Sequence, residues 1–136
     1  MSDISALSHD YEASAKLAEE LNDAILVIKK SRVHHRVGLT VDQRKALAGT
    51  LGSLKQQLGA SPGEGQADFL PQEMVERLSE RNRPRMAYFL DDLSRTVSVL
   101  QNDVVPLDDT IVQVLDEICD AADATASSVF RRMRRR

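Results

Sequence analysis

Two apolar stripes at helical spacing, mirrored about Pro106, dominate the second half of the chain. Met86, Leu90, Leu93, Val97, Leu100 and Val104 recur in steps of 4, 3, 4, 3 and 4, and Ile111, Leu115, Ile118, Ala122, Thr125 and Val129 repeat the same steps. Such steps hold every member on one face of a helix. Folding the chain back at Pro106 sets Val104 against Ile111, Leu100 against Leu115, Val97 against Ile118, Leu93 against Ala122 and Met86 against Val129. The pattern therefore predicts a long C-terminal antiparallel αα-hairpin.

Upstream, Ile4, Leu7, Tyr11, Ser14, Ala18, Leu21, Ile25 and Ile28 keep helical phase, and Leu17 and Ala24 widen that face. This predicts a first helix from Ile4 or Ser8 to the region of Arg32 to Arg36, buried most deeply between Ala24 and Ile28, where every side is apolar. A strand over Ala24 to Val27 is the weaker alternative. Gly38 marks a stop, and Thr40 with Gln43 three residues later writes a capping box, in which each side chain satisfies a free backbone N–H at the other. Leu47, Leu51, Leu54 and Leu58 then give a second stripe closed by Gly59. Gly49 and Gly52 each cost about 1 kcal/mol against alanine in a helix, and a close neighbouring helix is the expected reason for them. The segment Gly59 to Asp68 reads as a flexible loop, and Pro71 as the opening of a short helix with Met74, Val75 and Leu78 inward. Pro84 kinks or breaks the chain before the fourth helix. The fifth starts near Pro106 and runs into the arginines. The fold class that follows is all-α, an up-and-down bundle of four main helices plus one short helix, with residues 1–136 forming a single domain.

With three Phe, two Tyr and no Trp, the core is built from Leu, Ile, Val, Ala and Met, as interdigitated helices require. The single cysteine, Cys119, excludes a disulfide within the chain and a multi-cysteine metal site. Absence of a signal-like N-terminus and of any apolar run able to span a bilayer predicts a cytoplasmic protein. Thirteen Arg against five Lys, with abundant Ala, Asp and Val, points to a GC-rich bacterial genome. The net charge of −3 conceals blocks: Lys29 to Leu58 holds seven bases and one acid, Pro106 to Phe130 six acids and no base, and Arg131 to Arg136 five arginines. Such blocks can neutralise one another within a bundle or between subunits.

Candidate chemistry is sparse. Glu19, Glu20 and Asp23 lie in EELNDAILVI, which resembles the second carboxylate motif of the MazG-like all-α nucleotide pyrophosphatases. The resemblance covers ten residues. It implies magnesium held by Glu20 and Asp23 and release of pyrophosphate. That family carries a Glu-x-x-Glu motif on an earlier helix, whereas here Glu73 and Glu76 come later. His34 and His35 are adjacent and point about 100° apart on a helix, so they chelate one ion poorly. With Lys29, Lys30, Arg32 and Arg36 they crowd a helix C-terminus, where the dipole favours positive charge; anion binding is the alternative. Cys119 sits among Asp116, Glu117 and Asp120, which raise a thiol's pKa and disfavour a nucleophile. No cofactor, metal or nucleophilic set follows, and the chain reads as a non-enzyme.

Two surfaces remain. Arg131, Arg132, Arg134, Arg135 and Arg136 form a basic C-terminal tail suited to phosphate, an anionic membrane surface or an acidic protein face; a solvated terminus is the plain alternative. Asp116, Asp120 and Asp123 line the outer side of the fifth helix beside the small residues Ala121, Ala124 and Ser128, which would let a partner helix or a second subunit approach. The expectation is a helical protein–protein interaction module, an adaptor, regulator or assembly protein able to self-associate. A nucleic-acid-associated regulator using the tail with the basic block Lys29 to Lys45 is the second reading, and the magnesium-dependent hydrolase the third.

Overall fold

The computed structural model describes residues 3–34, 38–59, 70–102 and 105–135. It is an all-helical bundle of α1 (Asp3–His34), α2 (Val41–Gly59), the short α3 (Gln72–Arg81), α4 (Met86–Gln101) and α5 (Asp109–Arg134), with a 3₁₀ turn over Arg83–Arg85 between α3 and α4. Pro84 thus separates two helices. The expected loop lies, beyond Gly59, outside the described residues. The alternative strand at Ala24 to Val27 is helix.

Local signals set the helix ends. The Thr40 N–H donates to Gln43 Oε1 at 2.9 Å and the Gln43 N–H to Thr40 Oγ1 at 3.1 Å, completing the capping box. Asp108 caps α5, its carboxylate accepting from the Ile111 N–H at 3.1 Å. Pro71 stands immediately before α3, where its missing N–H costs nothing.

Helix partners differ from the mirrored hairpin. The most extensive interface joins α1 to α5, the next joins α2 to α4, and α4 meets α5 over a shorter stretch. Tyr11 stacks near Phe130, and the Cys119 thiol donates to the Ala18 carbonyl, so α1 and α5 run antiparallel. Arg44 near the start of α2 reaches the end of α4, so these two are also antiparallel. The stripe on α5 is buried throughout, whereas in the stripe on α4 only Leu93 and Leu100 are buried and Val104 lies outside the described residues; periodicity specifies only that a face is covered, not which helix covers it. In α4 the fully buried set is Phe89, Leu93, Thr96 and Leu100, while Met86, Leu90 and Val97 sit at the edge of the core. Thr125, which interrupts the apolar stripe of α5, is fully buried.

Two further expectations are corrected. Leu26, within the apolar run Ala24 to Ile28, is 45% exposed, because a helix at a bundle's periphery always turns one side to solvent. Among the described residues, no atom outside the local helix lies within 4 Å of a Cβ added at Gly49 or Gly52, so none of the described helices approaches there. The glycines face open space.

Candidate functional site, an acidic groove

An open groove of about 570 Å³ runs along the surface between α1 and α5. Its α5 wall carries Asp116, Asp120 and Asp123, all exposed, because they fall on the face opposite the buried Leu115, Ile118 and Ala122. Glu19 and Asn22 on α1 form the other wall. Ala15, Ala18, Ala126 and Ser127 keep the floor shallow through their small side chains. One end is framed by Tyr11 and Phe130, whose ring centroids lie 5.7 Å apart at 40°. The Arg134 guanidinium lies 5.7 Å over the Phe130 ring, a cation–π contact one helical turn apart.

Cys119 lies beside the groove floor, its thiol 3.3 Å from the Ala18 carbonyl. Burial first, then the charges of Asp116, Asp120 and Asp123, push its pKa up. The thiol therefore stays protonated at neutral pH, as its sequence neighbours implied.

The sequence candidates distribute unevenly. Ala121 is fully buried in the chain's own core and is unavailable to a partner. Ser128 is half-buried and hydrogen-bonds Glu73 of α3, so the small-residue side of α5 receives α3 rather than an outside helix. Ala124 is half-buried between that side and the acidic face. Among the arginines, Arg132 donates to Glu73 Oε1 at 2.6 Å and is tied to the bundle, contrary to an unattached tail. Arg131, Arg134 and Arg135 remain exposed, and Arg136 lies outside the described residues. Lys29 and Lys30 are exposed on α1, whereas the side chains of Arg32 and His34, and all of His35 and Arg36, lie outside the described residues. Arg44, part of the basic block Lys29 to Lys45, is 8% exposed and engaged with backbone carbonyls of α4, which removes it from any phosphate-binding surface.

Glu20 and Asp23 stand on the rim of a second groove of about 240 Å³ between α1 and α2, otherwise lined by residues such as Val27, Leu39 and Leu47. Among the described residues, no group of three or more His, Cys, Asp or Glu is brought together to hold a metal. No helix among them is long and apolar enough to cross a membrane.

Glu73 ties α3 to α5 by accepting from Arg132 and, at 3.1 Å, from Arg77. Burial acts to raise its pKa, but the bonds from Arg132, Arg77 and Ser128 outweigh burial and hold the carboxyl below its ordinary value of 4.5. A depressed carboxylate stabilises the fold above its unfolded pKa, and that contribution disappears as pH falls through the folded value. Glu73→Gln is therefore expected to cost up to about 1 kcal/mol at neutral pH and to flatten the decline of Tm below pH 4.5. Thermal melts across an acid series measure this; parallel curves for the two proteins would contradict it.

The α1 wall and the aromatic end were not evident from sequence, since they depend on α1 pairing with α5. A signal was present nonetheless. Asp116, Asp120, Asp123, Ser127, Phe130 and Arg134 recur in steps of 4, 3, 4, 3 and 4, a second stripe on the exposed side of the same helix. No protein-family model, curated protein or solved structure matches the chain.

Proposed function

We propose that this chain is a non-enzymatic helical interaction module, an adaptor, regulator or assembly protein, whose α1–α5 groove receives a basic helical segment of a protein partner. The observation that carries the reading is the groove itself: four carboxylates, Glu19, Asp116, Asp120 and Asp123, around a floor of small residues with an aromatic pair at one end. A helix bearing arginines would place guanidinium groups against the acidic walls, and the small floor would admit its backbone closely. Phe130, 42% exposed, supplies apolar surface for such a partner to cover.

A continuous phosphate track is less well supported. The antiparallel α1–α5 pairing carries Lys29 and Lys30 toward one end of the pair and Arg131 to Arg135 toward the other. Lys30 stands 19 helical residues beyond Tyr11, which is level with Phe130, about 28 Å of rise along which the acidic groove would repel phosphate.

Titration with a fluorescent amphipathic helical peptide of alternating arginine and leucine faces tests the proposal. Binding is expected at low salt, weakening steeply as salt rises, and falling at least about tenfold in Asp120→Ala/Asp123→Ala but not in Glu20→Ala/Asp23→Ala. Equal binding by both double variants, or none at low salt, would overturn it.

A further inference from the structure

We infer that the groove's occupant is the arginine-bearing end of α5 from a second copy of this chain, the two copies packed antiparallel about a two-fold axis near Ser127. This rests on the proposed interaction function and names its partner.

The exposed stripe of α5 is antisymmetric in charge about Ser127. Asp123 lies four residues before it and Arg131 four after; Asp120 lies seven before and Arg134 seven after. All four side chains are exposed. Residues seven apart share a helix face and residues four apart flank it, so these groups border one surface. An isologous interface uses the same patch twice, so the patch must complement itself after a two-fold rotation. This stripe does so in the antiparallel sense: the Arg131 and Arg134 side chains of one copy come level with Asp123 and Asp120 of the other, on both sides of the axis. In parallel packing, arginines would meet arginines and carboxylates carboxylates.

The rest of the surface fits the same occupant. At the centre of the stripe, Ser127 and Ala126 are small and Ala15 and Ala18 floor the groove, so a second α5 can approach closely where the axis lies. Arg134 is already braced over Phe130, which reduces the side-chain freedom lost on pairing. Arg132 points to Glu73 on the opposite side of α5 and takes no part. Glu19, on the α1 wall, adds negative charge facing the incoming arginines.

Charge exchange with rescue tests the inference. The intact chain is expected to sediment as a dimer at tens of micromolar in low salt. Asp120→Arg/Asp123→Arg and Arg131→Asp/Arg134→Asp should each raise the dimer dissociation constant at least about tenfold, because each homodimer then opposes like charges. Mixed in equal amounts, the two variants should form a heterodimer at close to the wild-type affinity, since every opposed pair becomes attractive again. Separately, Ser127→Cys in a Cys119→Ser background should form an intermolecular disulfide under mild oxidation. This measurement needs no charge change and stands even if a swapped variant unfolds.

A dimer indifferent to both swaps, or swaps that fail to rescue each other while Ser127→Cys stays uncrosslinked, would overturn the inference. A monomer that still binds the basic peptide would overturn the second copy as occupant and leave the interaction function standing. A monomer that binds no peptide would remove both.

Discussion

Arg44→Ala is expected to lower stability by about 3 to 5 kcal/mol, more than any surface charge in the chain, and to bring Tm down by roughly 10 °C or more. The Arg44 guanidinium is buried where α4 ends, donating from Nε to the Leu100 carbonyl at 3.2 Å and from Nη2 to the carbonyls of Val99, Asn102 and Val105 at 2.7, 3.0 and 2.9 Å. The last carbonyls of a helix have no partner within it and carry its partial negative charge. One side chain from α2 thus closes the end of α4 and fixes the turn that follows. Alanine would take this donor from the Leu100 and Val105 carbonyls, while those of Val99 and Asn102 keep the Asn102 and Val105 N–H groups, both at 3.1 Å; the cost is about 1 to 3 kcal/mol for each acceptor that is left buried and that water cannot reach. Arg44→Lys keeps the charge without the planar fork and should cost about half as much. Lys45→Ala, one residue on and exposed, is the control, expected within about 0.5 kcal/mol of wild type. Urea denaturation of the three variants makes the comparison. Equal midpoints for Arg44→Ala and Lys45→Ala would show that the buried guanidinium contributes nothing.

A second large effect is expected in α4, where Phe89→Ala should cost about 3 to 5 kcal/mol and Leu90→Ala about 1. Phe89 is 2% exposed and is among the largest fully enclosed side chains, while Leu90 lies at the edge of the core. Removing the ring would open a cavity among neighbours too tightly packed to fill it. Periodicity alone reverses the order, since it places Leu90 on the core stripe and leaves Phe89 off it. The same measurement separates the two assignments: a greater loss for Leu90→Ala would favour the sequence phase.

These residues show what was legible and what was not. The Thr40–Gln43 capping box and the inward set Met74, Val75 and Leu78 could be read directly, because each depends on residues within one or two turns. The phase of α4 could not. A search for apolar steps passes over Thr96, yet Thr96 is fully buried with its hydroxyl donating to the Asp92 carbonyl at 2.8 Å, one turn back. A hydroxyl satisfied within its own helix can occupy a core position as an apolar residue does. Arg44 was hidden for a related reason: within a basic block, it reads as a solvated cation until the carbonyls it meets, more than 50 residues away, are known. The acidic wall of the groove was legible on α5, but its aromatic end and its α1 wall required knowing that α1, not α4, is the main companion of α5. The tail was half legible. Its charge was plain, whereas the attachment of Arg132 to Glu73 follows only from the antiparallel placement of α3 on α5.

The pairing of α1 with α5 also sets a schedule for the ribosome. Ala18 and Cys119, in contact across that interface, are 101 residues apart in the chain. At roughly 5 to 20 residues per second, α1 waits on the order of 5 to 20 s for the helix that covers most of it. Leu17, Leu21, Ala24 and Ile28 form a sticky amphipathic face during that interval, at the stage when a nascent chain is most exposed to aggregation and to chaperones. The α2–α4 pair, anchored by Arg44, can assemble earlier, so the bundle is closed by its last helix rather than grown outward from its first.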